Sequence, residues 1–221
     1  YMSPDNKWIG KPTIRPDGIE KVTGSAQYAA DYTMPGMVWG KVLRSPHAHA
    51  LIKKIDTSKA EALQGVLAVM TGADLPTLPL DVPLPTGPND IRWISRGCMA
   101  QEKILYVGHP IAAVAATSQE IAIAALDLIE VDYEVLPHVI DVDEAVAPGA
   151  PILHDWIKTD GIEGPTNISN IMTVKTGDVE KGFGEADLVV ERDFKSAAVH
   201  QGYLEPQSCV VSYKPDSQST I

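Results

Sequence analysis

Basic charge is scarce in this chain. Its 221 residues carry 18 Lys and Arg against 29 Asp and Glu, a formal net charge of −11, with no Lys/Arg-rich run anywhere. Surfaces that bind nucleic acid or anionic lipid need the opposite balance, which argues against either as the main partner. Cysteine is scarcer still. Cys98 and Cys209 are the only two, too few for a disulfide framework or for holding an iron–sulfur cluster alone. That usage predicts a reducing, cytoplasmic setting. Residues 1–7 have no apolar signal segment, and no run approaches the about 20 apolar residues of a membrane span. Familiar catalytic signatures are missing as well: there is no Gly-x-Ser-x-Gly elbow and no His-Glu-x-x-His pair. Gly177–Gly184 has its glycines at the wrong spacing for a dinucleotide loop, and predicts instead turns around a short helix at 178–182.

What is present reads as alternating strands and short helices. Polar, Pro-rich residues 1–18 predict an extended arm. Val38–Leu43, Leu51–Ile55 and the apolar run Val66–Met70 predict strands, with a short helix over 58–63 that Gly65 ends. Residues 71–100 hold five prolines and no helical period, which predicts a long functional loop. The clearest stretch follows. Ile111–Ala116 predicts a buried strand, and Thr117 with Glu120 predicts a capping box. Ile121, Ala125, Leu128 and Ile129 then form one helical face, and Val131–Val135 alternates as a strand. Strand, helix and strand at this length predict a right-handed crossover and an α/β or α+β domain. Ala147–Asn170 is again rich in Pro and Gly and reads as a linker. Beyond it, Ile171–Lys175, Leu188–Phe194 and Cys209–Tyr213 predict strands.

Few residues suggest chemistry. His47 and His49 would share one face of a strand, but Pro46 confines the segment to a strand end or edge, and no carboxylate or cysteine lies nearby to complete a metal site. Arg96 beside Cys98 would favour a thiolate, yet no histidine is close in sequence. Cys209, inside an apolar run, predicts core packing. The densest polar cluster is His200-Gln201-Gly202-Tyr203-Leu204-Glu205-Pro206-Gln207. Glu205 precedes Pro206 and must be extended. It either bonds backbone amides at a strand end or belongs to a binding loop.

The ordered motifs resemble one family. They are Arg15-Pro16-Asp17-Gly18, Lys21-Val22-Thr23-Gly24, Tyr28-Ala29-Ala30-Asp31, Arg44-Ser45-Pro46-His47-Ala48-His49-Ala50 with Ile55-Asp56-Thr57, and Thr71-Gly72-Ala73-Asp74-Leu75-Pro76. Gly108-His109-Pro110, Val131 to Pro137 and Tyr203-Leu204-Glu205-Pro206 extend the series. Together they resemble the molybdopterin-binding large subunit of the xanthine dehydrogenase/aldehyde oxidase family. The resemblance implies an extended arm at 1–18, an α/β (α+β) hammerhead domain at 19–140 and a linker at 141–169. It also implies the start of a molybdopterin-binding domain at 170–221, with a mixed sheet left incomplete. Such enzymes oxidise aldehydes or N-heterocycles at a molybdenum–molybdopterin cofactor. Their electrons leave through 2Fe–2S clusters, often to a flavin (FAD), on partner domains or subunits.

The family's Gly-Gly-Gly-Phe-Gly-Gly pterin loop, metal-side glutamine and general-base glutamate find no counterpart in these residues. The resemblance therefore transfers no catalytic, cofactor-binding or metal-ligating residue, and places His200, Gln201 and Glu205 only near an active site. It implies partners in the remainder of the subunit, an iron–sulfur subunit and a flavin subunit. The chain alone is expected to be inactive and free of molybdenum. The competing reading is a non-catalytic protein-interaction module with no redox role, and a Gly-rich pterin loop encoded beyond Ile221 would decide against it.

Overall fold

The computed structural model describes residues 9–76, 91–155, 159–203, 207–214 and 219–220. In chain order the helices are α1 (Gly18–Thr23), α2 (Ser58–Glu61), α3 (Ile91–Cys98), α4 (Gln119–Leu126), α5 (Val142–Ala145) and α6 (Val179–Glu185). The strands are β1 (Trp39–Arg44), β2 (Ala50–Asp56), β3 (Val66–Thr71), β4 (Lys103–Ile104), β5 (Pro110–Ala116), β6 (Glu130–Val135), β7 (Tyr213–Lys214) and β8 (Ser219–Thr220). The mixture of helices and small sheets is the predicted α+β class. Two compact units share the chain: Met37–Asp187, and Tyr1–Gly36 with Leu188–Ile221.

The unit Met37–Asp187 is built on two three-stranded antiparallel sheets, ordered β1-β5-β3 and β4-β2-β6. β5 is central in the first, and Ile111, Ala112, Val114 and Ala116 on it are buried. Ala112, Val114 and Ala116 share the buried face, while Ala113 and Ala115 on the other are half-buried. α4 packs across β1, β5 and β3 and closes one core with Ala60, Ala112, Val114, Ala125 and Ile129. A second core gathers Ala50, Ala100, Ile104 and Ile111. Gly65 adopts φ +96°, and a Cβ there would come within 2.7 Å of Ile121 Cδ1. Gly72 sits so close to the Ala100 carbonyl that no side chain fits between them.

Several expectations change here. The stretch from β5 through α4 to β6 is not a parallel crossover. Both edges of β5 are already occupied by β1 and β3, so β6 pairs with β2 in the other sheet. The cap of α4 is Ser118 rather than Thr117; its Oγ accepts from the Ile121 N–H at 3.3 Å, while the Thr117 N–H is spent on the Gly65 carbonyl. Part of the predicted loop is helical, as α3, although Pro79, Pro83, Pro85 and Pro88 lie outside the described residues. The predicted strands at 171–175 and 188–194 form no ladder, and Cys209–Tyr213 contributes only Tyr213 to one. Extended apolar segments need partner strands and a covering layer, and these find neither among the described residues.

In the other unit, Gly24 at φ +74° closes α1, and the Tyr28 N–H donates to Asp31 Oδ2 at 3.1 Å around the turn Ala29–Asp31. β7 and β8 pair antiparallel.

Candidate functional site

The motif at 44–50 is a junction. Arg44 ends β1, Ala50 opens β2, and residues 45–49 bend between them, so the segment lies at strand ends. Ser45, nearly fully buried, donates its N–H to the His109 carbonyl at 2.9 Å and accepts from the Gly108 N–H at 2.8 Å. Arg44 Nη1 donates to the Gly108 carbonyl at 2.9 Å. On the other side, the Leu136 N–H donates to the His49 carbonyl at 3.0 Å, and His49 Nδ1 donates to the Pro137 carbonyl at 2.6 Å. Three motifs widely separated in sequence thus share one set of backbone bonds.

The two histidines of that motif diverge. The His47 ring stands edge-on to Tyr133 at 4.9 Å. His49 is 5 % exposed, and its Nε2 is buried with no hydrogen-bond partner among the described residues. Among those residues, no three His, Cys, Asp or Glu side chains gather as a metal site.

His109 is the buried polar centre of the junction. The Leu105 N–H donates to its Nδ1 at 3.2 Å, so the proton sits on Nε2 and is donated to the Arg96 carbonyl at 2.8 Å. Tyr106 stacks on the ring at 4.4 Å and donates its hydroxyl to the Gly97 carbonyl at 2.9 Å. These bonds satisfy carbonyls at the C-terminal end of α3 that the helix itself leaves open. Burial pushes the His109 pKa below the ordinary histidine range, against a smaller upward pull from the Arg96 carbonyl. A neutral ring that both donates and accepts suits a structural role.

Of the residues predicted to lie near an active site, two stand on an open surface. His200 and Gln201 are exposed; His200 Nδ1 accepts from the Gly202 N–H at 3.0 Å, and its ring lies 5.2 Å from that of Tyr203. Gln207 Nε2 donates to the Tyr203 hydroxyl. Glu205 lies outside the described residues. Cys98 and Cys209 are both exposed free thiols, so Cys209 is not the core residue its apolar neighbours predicted. Without a paired strand, Val210 and Val211 supply no core for it to join.

The profile described as "Aldehyde oxidase and xanthine dehydrogenase, a/b hammerhead domain" matches residues 23–137. The chain belongs to the aldehyde oxidase and xanthine dehydrogenase family. A second profile, the molybdopterin cofactor-binding domain, matches residues 162–221 of this family member. The chain is 38% identical to a probable xanthine dehydrogenase component of Bacillus subtilis, over 96% of its own length and 26% of that protein's. It is 40% identical to the carbon monoxide dehydrogenase large chain of Afipia carboxidovorans, over 92% of this chain and 25% of that one. It is also 32% identical to the nicotinate dehydrogenase large molybdopterin subunit of Eubacterium barkeri, over 100% and 48%. A solved Cu,Mo-CO dehydrogenase superposes with a TM-score of 0.60 at 36% identity, covering 81% of this chain and 23% of that one. The chain therefore spans between a quarter and a half of the length of these curated relatives.

The family implies a molybdenum–pterin group, and the described residues do not fit it. An anionic pterin phosphate needs an enclosure lined by N–H donors or cations. From Ser169 to Tyr203 every residue is exposed, so nothing there encloses a ligand. In the unit of 1–36 and 188–221 a cavity of about 340 Å³ is lined by Tyr28, Tyr32, Met34 and Val210, with Gln27 and Ser212 at its walls. Its lining holds no cation.

Proposed function

We propose that the chain is the N-terminal portion, or a split subunit, of a molybdenum hydroxylase of this family. In this reading the hammerhead domain at 19–140 scaffolds the pterin domain and docks the iron–sulfur subunit. Residues 141–169 link it to the opening of the pterin domain at 170–221. The rest of the cofactor pocket, the 2Fe–2S clusters and FAD belong to the remainder of the subunit and to partner chains, in the cytoplasm. His200, Gln201 and Glu205 lie near the active site of the assembled enzyme.

One observation carries the reading. Met172, Val174, Val190, Phe194 and Val199, within the stretch matched by the cofactor-binding profile, are exposed to the degree of an unfolded segment, with Phe194 at 92 % and Val199 at 87 %. Apolar side chains spaced along an extended backbone mark a surface completed by more protein. Taken alone, the chain then holds no cofactor. The test is elemental analysis of the purified 221-residue protein, with far less than one molybdenum per chain expected. One molybdenum per chain would overturn the proposal.

A further inference from the structure

The sequence holds the same four residues twice, as Asp17-Gly18-Ile19-Glu20 and as Asp160-Gly161-Ile162-Glu163. An Asp-Gly pair is prone to one internal reaction. The backbone nitrogen of the glycine attacks the aspartate carboxyl carbon, a five-membered succinimide closes, and one water leaves. Glycine favours the step because it has no Cβ to shield the nitrogen or restrict the backbone. Water then reopens the ring at either carbonyl. One opening restores aspartate. The other leaves isoaspartate, in which the main chain runs through the side-chain carboxyl and the α-carboxylate hangs free. One water is lost and one regained, so the mass does not change.

The fold treats the two copies differently. The Asp17 carboxylate accepts from Arg15 Nε at 2.6 Å and Nη2 at 3.1 Å, and it pairs with Lys21 at 3.5 Å. The Gly18 N–H donates to the Arg15 carbonyl at 3.1 Å, and Gly18 opens α1. Both reacting groups are engaged there, and closing the ring means undoing the start of a helix. Asp160 and Gly161 are instead the exposed central residues of a turn, closed by the Ile162 N–H on the Thr159 carbonyl at 3.0 Å. Gly161 has φ +82°, as the third position of a type II turn requires, and a Cβ there would meet nothing within 4 Å. Among the described residues no bond or ion pair holds the Asp160 carboxylate or the Gly161 N–H. We infer that Asp160 is the residue at which this chain converts to isoaspartate, and that Asp17 is protected. The site lies between the stretches matched by the two family profiles, 23–137 and 162–221. The added main-chain carbon lengthens the turn beside Thr159, whose buried hydroxyl donates to the Ile168 carbonyl.

The full chain, held in warm neutral buffer and then digested, reads both sites at once, because isoaspartyl and aspartyl peptides of equal mass separate by chromatography. Methylation of the free α-carboxylate by an isoaspartyl methyltransferase confirms which peptide carries the altered linkage. Asp160 should convert at least about fivefold faster than Asp17, the factor set by one hydrogen bond that must break first. In urea the two copies should convert alike, since the residues that follow each aspartate are the same and only the fold separates them. Asp160→Glu should abolish the fast site, because its six-membered ring closes far more slowly, while conversion at Asp17 is unchanged. Equal or faster conversion at Asp17 in the folded chain would overturn the inference. So would a preference for Asp160 that persists in urea, or no isoaspartate at Asp160 over a period in which the urea-unfolded chain forms it.

Discussion

Two apolar runs meet different fates. Ile111–Ala116 becomes β5, paired on both edges, with the face of Ala112, Val114 and Ala116 buried and Ala113 and Ala115 on the other face half-buried. Leu188-Val189-Val190 forms no ladder among the described residues and stands exposed. Local preference for the extended state is weaker in the alanine-rich run that becomes β5 than in Leu188-Val189-Val190, so it does not decide the outcome. Partners decide it. β5 receives β1 from the N-terminal side and β3 from the middle of the chain, with α4 laid over all three. The comparison teaches that strand formation in this chain follows the supply of neighbours more than the side chains of the run itself.

The hardest blow to that contrast is a paired truncation. Ile111→Ala should destabilise the chain by about 2–5 kcal/mol, since Ile111 is fully buried in the core with Ala50, Ala100 and Ile104 and its loss leaves a cavity. Phe194→Ala removes a larger side chain and should change stability by less than about 0.5 kcal/mol, because the ring is already in water. Urea denaturation of both variants measures the pair. A loss above about 1 kcal/mol for Phe194→Ala would show that its segment is packed in solution, and the contrast would collapse.

A smaller effect follows from the polar centre of the packed region. His109→Ala leaves the Leu105 N–H and the Arg96 carbonyl buried without their partner and removes the ring under Tyr106. The expected cost is about 2–4 kcal/mol, with protection at the α3 amides lost first. The acid dependence points the same way. His109 is held below its ordinary pKa, so its contribution is complete above that value and declines as pH falls. The variant should lose that portion of the acid sensitivity. Unchanged stability in His109→Ala would mean that α3 is anchored by something other than this ring.

Much of the packed region is legible in the sequence alone. The apolar runs at 66–70 and 111–116 and the helix after them mark their own positions. The cap of α4 falls one residue from its expected place because the helix starts at Gln119, which puts the extended Ser118 at its N-cap with the Ile121 N–H in reach of its Oγ. α3 escapes a local reading although Ile91, Ile94 and Cys98 stand at helical spacing; Gly97 and the surrounding prolines outweigh that signal. The junction is not legible at all. Ser45 reaching Gly108 and His109, or Lys103 reaching Leu153, is a consequence of sheet pairing, and no local pattern encodes it. The open region fails differently. Composition suggests its strands but is silent on whether an edge is there to receive them.

The mildest test uses the same chemistry in both regions. Ser118 caps α4 through the Ile121 N–H, and Asp178 caps α6 through the Lys181 N–H at 3.0 Å. Each bond satisfies one open donor at a helix start. α4 buries Ala122 and Ala125 and is tied to the first sheet, so fraying its first turn weakens the core. Ser118→Ala should therefore cost about 1 kcal/mol of global stability. α6 has no buried residue. Losing its cap should melt the helix locally while global stability moves by less than about 0.5 kcal/mol. Amide exchange at Lys181 together with the urea midpoint separates the two responses. Equal global costs for the two caps would mean that α6 is packed as firmly as α4, which its exposure denies.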